Sequence, residues 1–320
     1  MSTLLIFGAI IIIVIIIAAT KGSSNSKSLA NLPLEERLGT ELDDIKSITE
    51  KLENALPETY VKHIKQRVLK EYPKWADHEF EWAFYELKRY FLINSLFKSV
   101  PMFSDKVDTV WHEMLMFTKE YEQFAKNFYD DYLHHSPNME EQPLPNERAF
   151  FDWVFISLFK PSENTIKIWG PFLQSPLSDE VLADFENLSN EKLLSKYFRN
   201  NSQWTDVQIM LINKLKYEIK SAHQFKRQNQ LPAINSNKEW LSQTAIGAAI
   251  FFSIYGSEDY LGHMSSYLPQ EWTKQAYAST TSCSGFACSS NHNHHDSNDG
   301  GGSGSSSDLG SSCGSGCGSS

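Results

Sequence analysis

From residue 40 to residue 275 the chain repeats apolar residues every three or four positions, which is the spacing of one face of an α-helix. Capping residues and prolines divide this pattern into a succession of amphipathic helices. No stretch shows sustained alternation of apolar and polar residues bounded by hairpin turns, so no sheet is expected. The pattern predicts an all-α fold, an irregular multi-helix globular domain over residues 40–275, with its candidate subdomain break at 138–148.

Individual helices can be placed from the same periodicity. Helices are predicted over residues 78–97, 179–187 and 190–198, with a long helix opening at Thr205 and a last one at Ser236. The first of these helices has a strong apolar face, and its polar side carries Glu81, Glu86, Lys88 and Arg89.

The first twenty residues have a different character. Residues 4–19 are apolar throughout and half of them are isoleucine, and no charged side chain occurs before Lys21. A helix of this length is at the short end for crossing a hydrocarbon core of about 30 Å. A transmembrane helix is therefore predicted over residues 4–20, followed by a linker over residues 21–39.

A cleaved secretory signal peptide is the alternative interpretation of this segment. Such a peptide carries lysine or arginine before its apolar run and a small-residue cleavage site after it. Here no basic side chain precedes the run, and Ala18-Ala19-Thr20 fits a cleavage site poorly, so an uncleaved single-pass anchor is favoured. Lys21 and Lys27 follow the span, and the positive-inside rule therefore places the body in the cytoplasm.

Composition narrows the class of partner. The chain of 320 residues has a formal net charge of −10, which disfavours nucleic acid and gives the body no general attraction to an anionic membrane surface. Membrane contact is thus assigned to the N-terminal helix alone, and no nucleic-acid partner is expected. The four cysteines all lie in the C-terminal tail, so a secreted body built on disulfides is not expected either.

The tail, residues 276–320, is rich in Gly, Ser, Cys and His. It is too poor in apolar side chains to offset the entropy of ordering, so it is predicted to be disordered. Its thiols and imidazoles are candidate ligands for zinc or copper(I), although neither cysteine spacing is that of a structural zinc knuckle. These candidates are Cys283, Cys288, His292, His294, His295, Cys313 and Cys317.

The densest run of chemically active residues spans 107–137. Asp108 and His112 are four residues apart and share one helix face, with Asp105 as the candidate cap of that helix. A carboxylate and an imidazole at this spacing can serve acid–base chemistry or form half of a metal site. The alternative is an aspartate near a helix start that bonds a partly buried imidazole. The sequence favours that alternative, because a single pair of this kind is unspecific.

His134 and His135 are not expected to join His112. If the helix runs unbroken from 106 to 135, His134 lies about 33 Å from His112. If the chain instead forms a helical hairpin near Phe117, His134 lands beyond the start of the first helix. The two histidines are therefore predicted to end a helix, where the helix dipole favours an imidazolium.

Three motifs in this run carry a resemblance to a known family. They read Val107-Asp108-x-x-Trp111-His112, Thr118-x-x-Tyr121-x-x-Phe124 and His134-His135-x-Pro137. Over residues 78–137 the pattern resembles the conserved core of the glycine-rich domain-containing proteins of plants and their bacterial relatives, and the tail is similar in composition. The resemblance implies a fold without a settled enzymatic activity. The family's second histidine is replaced here by Met114 and its cysteine by Ala125, which favours a structural role for the motifs.

No phosphate-binding loop, nucleophile elbow, kinase motif set or cysteine–histidine nucleophile occurs in the sequence. The expected function is that of a membrane-anchored helical module, non-enzymatic and without a cofactor, that binds a protein partner. The alternative is a metal-dependent hydrolase or metal-handling protein that uses Asp108, His112 and the ligands of the tail, with zinc as its cofactor.

Overall fold

The computed structural model describes residues 28–40, 42–135, 145–200, 202–233 and 243–269. Over these residues the chain is all-helical, and the predicted fold class is confirmed in that respect. The described residues contain no strand, and one isolated bridge joins Phe97 to Phe198.

Twelve α-helices follow one another along the described residues. They are α1 Lys46–Asn54, α2 Glu58–Glu71, α3 Asp77–Leu96, α4 Asp105–Leu115, α5 Thr118–Tyr129, α6 Pro145–Leu158, α7 Glu163–Trp169, α8 Asp179–Asn187, α9 Asn190–Tyr197, α10 Thr205–Arg227, α11 Gln243–Tyr255 and α12 Tyr260–Met264. Short 3₁₀ turns lie at Glu36–Gly39, Asp43–Ile45, Ser202–Trp204 and Ser257–Asp259.

Helix α3 is the centre of the fold. Most of its residues are buried, and it contacts α1, α2, α4 and α7. The placement of Glu86 and Arg89 on a polar outer side was wrong, because both side chains are completely buried and form an ion pair at 3.1 Å. A buried charge must be paired and hydrogen-bonded to be tolerated, and the surrounding structure supplies those partners.

The partners of Glu86 come from α7. The indole nitrogen of Trp169 donates to one carboxylate oxygen at 2.8 Å, and the Thr165 hydroxyl donates to the other at 2.7 Å. Arg89 in turn donates to the backbone oxygens of Leu38 and Lys160. This buried pair therefore joins α3 to α7 and to the segment that precedes the first helix.

Residues 28–40 pack on the helices, although most of them fall in the segment predicted as a linker. The side-chain amide of Asn164 bonds both the N–H and the carbonyl of Ala30, at 2.8 and 2.7 Å. The indole of Trp82 donates to the Leu32 carbonyl, and Leu29 and Leu38 are buried. The buried apolar residues from Leu29 to Leu268 form one continuous core.

The predicted transmembrane helix over residues 4–20 and the predicted disordered tail over residues 276–320 lie outside the described residues. So do Pro137 and most of the predicted subdomain break. Within the part of the chain that the structure describes, no helix combines the length and the apolarity that crossing a membrane requires.

Candidate metal site

Helix α4 presents two different faces. Ser104 caps its N-terminus, since the Ser104 hydroxyl accepts a hydrogen bond from the Val107 N–H at 3.3 Å, so the expected cap at Asp105 was wrong by one residue. The apolar side of the helix is buried in the core through Val107, Val110, Trp111 and Met114. Asp108 and His112 lie one turn apart on the outer edge.

The central helix does not run unbroken to residue 135. It stops at Leu115 and restarts at Thr118, and the second helix, α5, ends at Tyr129. Asp130 takes the left-handed conformation, with φ 59° and ψ 12°, which ends the helix and reverses the chain. Lys51 of α1 holds this turn through an ion pair with Asp130 at 2.8 Å.

Residues 130–135 return over the two helices and deliver His135 to the outer edge of α4. Nε2 of His135 lies 2.9 Å from Oδ1 of Asp108, and Nδ1 of His112 lies 3.2 Å from Oδ2 of the same carboxylate. The prediction that neither histidine of the pair could reach His112 was therefore wrong for His135. The break near Phe117 that the prediction considered is present, but the placement of the histidines failed because α5 ends at Tyr129, six residues before His135, so neither histidine ends a helix.

Three potential metal ligands thus converge at one point. One donor atom each from Asp108, His112 and His135 lies within 4.8 Å of the other two. The two imidazole rings are 4.5 Å apart between centroids and tilted by 54°. Two imidazoles and one carboxylate are a common protein ligand set for a first-row transition metal ion.

His134 does not take part in this cluster. Its exposed ring packs against Tyr132 at 4.8 Å between centroids. Thr118, another residue of the predicted motifs, is exposed at the first position of α5. Only the second histidine of the His134-His135 pair is therefore placed to bind a shared ligand.

A buried hydrogen-bonded chain lies behind the cluster. The indole nitrogen of Trp111 donates to the Tyr121 hydroxyl at 3.1 Å, and that hydroxyl donates to the Leu133 carbonyl at 2.8 Å. Burial raises the pKa of Tyr121 far above its ordinary value, so the hydroxyl keeps its proton. The rings of Trp111 and His135 pack edge to face, with their centroids 4.4 Å apart. Trp111 and Tyr121 therefore fix the return segment two residues before His135.

The cluster opens to solvent on one side. The side chain of His135 is 11% exposed, that of Asp108 30% and that of His112 53%. Trp111, which is buried, closes the inner side. Asp108, His112 and His135 would hold a metal ion with three protein ligands, the number found in catalytic rather than structural metal sites.

The cysteine and histidine ligands predicted in the tail lie outside the described residues, so the structure does not place them near this cluster or apart from it. Those candidates are Cys283, Cys288, His292, His294, His295, Cys313 and Cys317.

Comparison with protein-family models gives a match to part of the chain. A family model described as UCP032817-like matches residues 48–150, which are 103 of the 320 residues, or about a third of the chain. The match runs from α1 into α6 and includes Asp108, His112 and His135. The matched family is an uncharacterised one. Because the matching family is not a glycine-rich domain family, the resemblance drawn from the three motifs was wrong. Neither the curated proteins nor the solved structures contain a match to the chain.

Proposed function

We propose that this protein binds a divalent transition metal ion through Asp108, His112 and His135. The observation that carries the proposal is the convergence of their three donor atoms within 4.8 Å. The proposal keeps Asp108 and His112 from the metal-binding alternative that the sequence offered, and it replaces the ligands of the tail with His135.

The donor set indicates which ions are favoured. Neutral imidazole suits zinc, iron, cobalt, nickel and copper, whereas calcium and magnesium prefer oxygen ligands alone. Zinc bonds to imidazole nitrogen and to carboxylate oxygen are about 2.0 to 2.2 Å long. Donors that already lie 2.9 and 3.2 Å apart need only small side-chain movements to surround such an ion.

The positions of the ligands in the fold also support binding. Asp108 and His112 are on a helix whose inner face is buried in the core, and the His135 ring packs edge to face with that of the buried Trp111. Ligands that are held before the ion arrives lose little conformational entropy when it binds.

The same three groups also satisfy each other in the absence of an ion, because the Asp108 carboxylate can accept a hydrogen bond from each histidine. A purely structural role predicts no metal affinity. Metal content and metal affinity therefore distinguish the two roles directly.

The test is elemental analysis of the purified full chain after exposure to Zn²⁺ and dialysis, followed by a competition measurement of the dissociation constant. We expect about one zinc ion per chain at this site. His112→Ala, Asp108→Asn and His135→Ala should each lower the zinc affinity by more than the ~10–100-fold that is lost when a hydrogen-bond partner of a metal ligand is changed. His134→Ala is the matched control and should bind as the wild type does. Equal losses for His134→Ala and His135→Ala would contradict the proposal.

The tail needs its own control because its thiols can also bind zinc. Replacing Cys283, Cys288, Cys313 and Cys317 together with serine should leave the site on α4 occupied, while any additional zinc is lost. Zinc that disappears entirely from this variant would assign the metal to the tail instead.

Attachment to a membrane by residues 4–20 belongs to the same proposal, with the helical domain on the cytoplasmic side. Its support is the uncharged apolar run and the position of Lys21 and Lys27 after it. Binding of a protein partner by the domain stays a prediction.

A further inference from the structure

We infer that the metal ion at Asp108, His112 and His135 takes an exchangeable external ligand, a small anion with an oxygen donor such as a carboxylate or a phosphate. This inference rests on the proposed metal site and adds the class of molecule that the site would bind.

The number of donors is the first reason. Among the described residues, the cluster supplies three donor side chains, whereas zinc takes four ligands and other first-row ions take up to six. The vacant positions must be filled by another group, and water or an external ligand is what fills them in metal sites that have three protein ligands.

The direction of the vacant positions is the second reason. Exposure increases from His135 to Asp108 to His112, and the buried Trp111 closes the opposite side. The three side chains therefore leave the site accessible from solvent on the side away from Trp111. A small ligand can reach it without any movement of the helices.

Charge is the third reason. A divalent ion bound by one carboxylate and two neutral imidazoles has a net charge of +1. An anion in the vacant positions neutralises the site, and oxygen donors match the hard character that the carboxylate already gives to the ligand set.

The experiment uses Co²⁺ in place of zinc, since the visible absorption of Co²⁺ reports the number and geometry of its ligands. The full chain is loaded with one Co²⁺ and titrated with acetate, and separately with inorganic phosphate, at constant ionic strength adjusted with sodium chloride. We expect the visible bands to shift in a saturable way with at least one of the two anions and not with chloride. The same titration of His134→Ala should reproduce the wild-type shift.

Three other outcomes would overturn either the proposed metal site or the external ligand, and the measurements distinguish them. If His135→Ala shows the same Co²⁺ bands as the wild type, the proposed metal site itself is wrong. If Co²⁺ binds through His135 but its bands respond to neither anion, the site is closed and the external ligand is excluded. If a sulfur-to-cobalt charge-transfer band is present and vanishes when the four tail cysteines are changed to serine, the vacant position is filled by the chain itself.

Discussion

The Tyr121 hydroxyl lies between Trp111 and the return segment, accepting from one and donating to the other. Outer partners of metal ligands commonly set ligand orientation, and their loss costs roughly 10–100-fold in metal affinity. Tyr121 contacts no ligand directly but fixes the backbone two residues before His135. It is therefore a positioning residue for the proposed site.

Tyr121→Phe is expected to weaken zinc binding about tenfold. The Leu133 carbonyl, two residues before His135, loses its hydrogen-bond donor in this variant, so His135 is held less firmly. Competition with a chromophoric chelator measures the affinity. Tyr60→Phe is the matched control: Tyr60 is also buried and donates to a backbone carbonyl, but that carbonyl, of Met114 at 3.0 Å, belongs to α4 and not to the return segment. Both variants should lose about 1 kcal/mol of stability. Equal metal affinities in the two variants would remove the positioning role.

Glu218 is a buried acid away from the metal site. The Trp153 indole donates to it at 2.6 Å, and Lys214 lies 2.9 Å from its other oxygen. Burial raises the pKa of Glu218 above its ordinary value, and this effect outweighs the opposing influence of Lys214. The folded state therefore binds this proton more tightly than the unfolded state does. The resulting stability is fully present below the ordinary glutamate pKa and is lost as the pH rises through the raised one.

Glu218→Gln should consequently flatten the dependence of unfolding free energy on pH in that window and make the variant more stable than the wild type above it. Urea denaturation at a series of pH values measures both slopes. Lys214→Met should have the opposite effect and steepen the dependence, because Lys214 lowers the pKa of Glu218. A Glu218→Gln curve that stays parallel to that of the wild type would contradict the assignment.

At the scale of elements, the ends of helices decide where the site forms. The amphipathic pattern predicted helices over 179–187 and 190–198, and α8 and α9 lie there within one residue. The end of α5 could not be read in the same way, because its apolar spacing continues to Phe128 and no glycine or proline occurs before Pro137. The signal available was the Asp130-Asp131 pair, since a short polar side chain tolerates the left-handed conformation better than most residues do.

The buried pair in α3 was hidden for a related reason. Periodicity assigns Glu86 and Arg89 to a polar face, but which face of a helix meets solvent depends on what packs against it. Here α7 and residues 28–40 cover that face and supply the hydrogen-bond partners of both side chains. Local sequence cannot reveal partners that are separated by 51 and 83 residues.

Arg89→Met is expected to destabilise the fold by about 3–5 kcal/mol, because it leaves the Glu86 carboxylate buried and without its counter-charge. Lys88→Met is the matched control at the next position. Lys88 pairs with Glu53, which is half exposed, and its loss should cost no more than about 1 kcal/mol. Denaturant unfolding of both variants measures the difference. Equal costs would mean that the buried pair does not hold α3, α7 and the N-terminal segment together.

At the scale of the whole molecule, the helical class was predictable because it depends on periodicity repeated over the entire body. The family model that matches residues 48–150 was not predicted from the sequence. The motifs that suggested a glycine-rich domain protein are short, and the family model that matches residues 48–150 is a different one. Trp111 and Tyr121 within those motifs are buried and hydrogen-bonded to each other behind the proposed site.

The proposed membrane anchor can be tested without removing any part of the chain. Changing Ile11 and Ile15 together to lysine places two charges in the middle of the apolar run, at about 2.5–3.5 kcal/mol each. We expect this variant to leave the membrane fraction on alkaline extraction, while the control with leucine at both positions remains in it. Retention of the lysine variant in the membrane would show that another part of the chain provides the attachment.

The most direct measurement of the central claim is a crystal structure of the zinc-treated protein with anomalous data collected on both sides of the zinc absorption edge. The proposed site predicts one anomalous peak at about 2.0–2.2 Å from Nδ1 of His112, Nε2 of His135 and an oxygen of Asp108. A fully zinc-exposed crystal with ordered side chains and no peak among these three residues would contradict it.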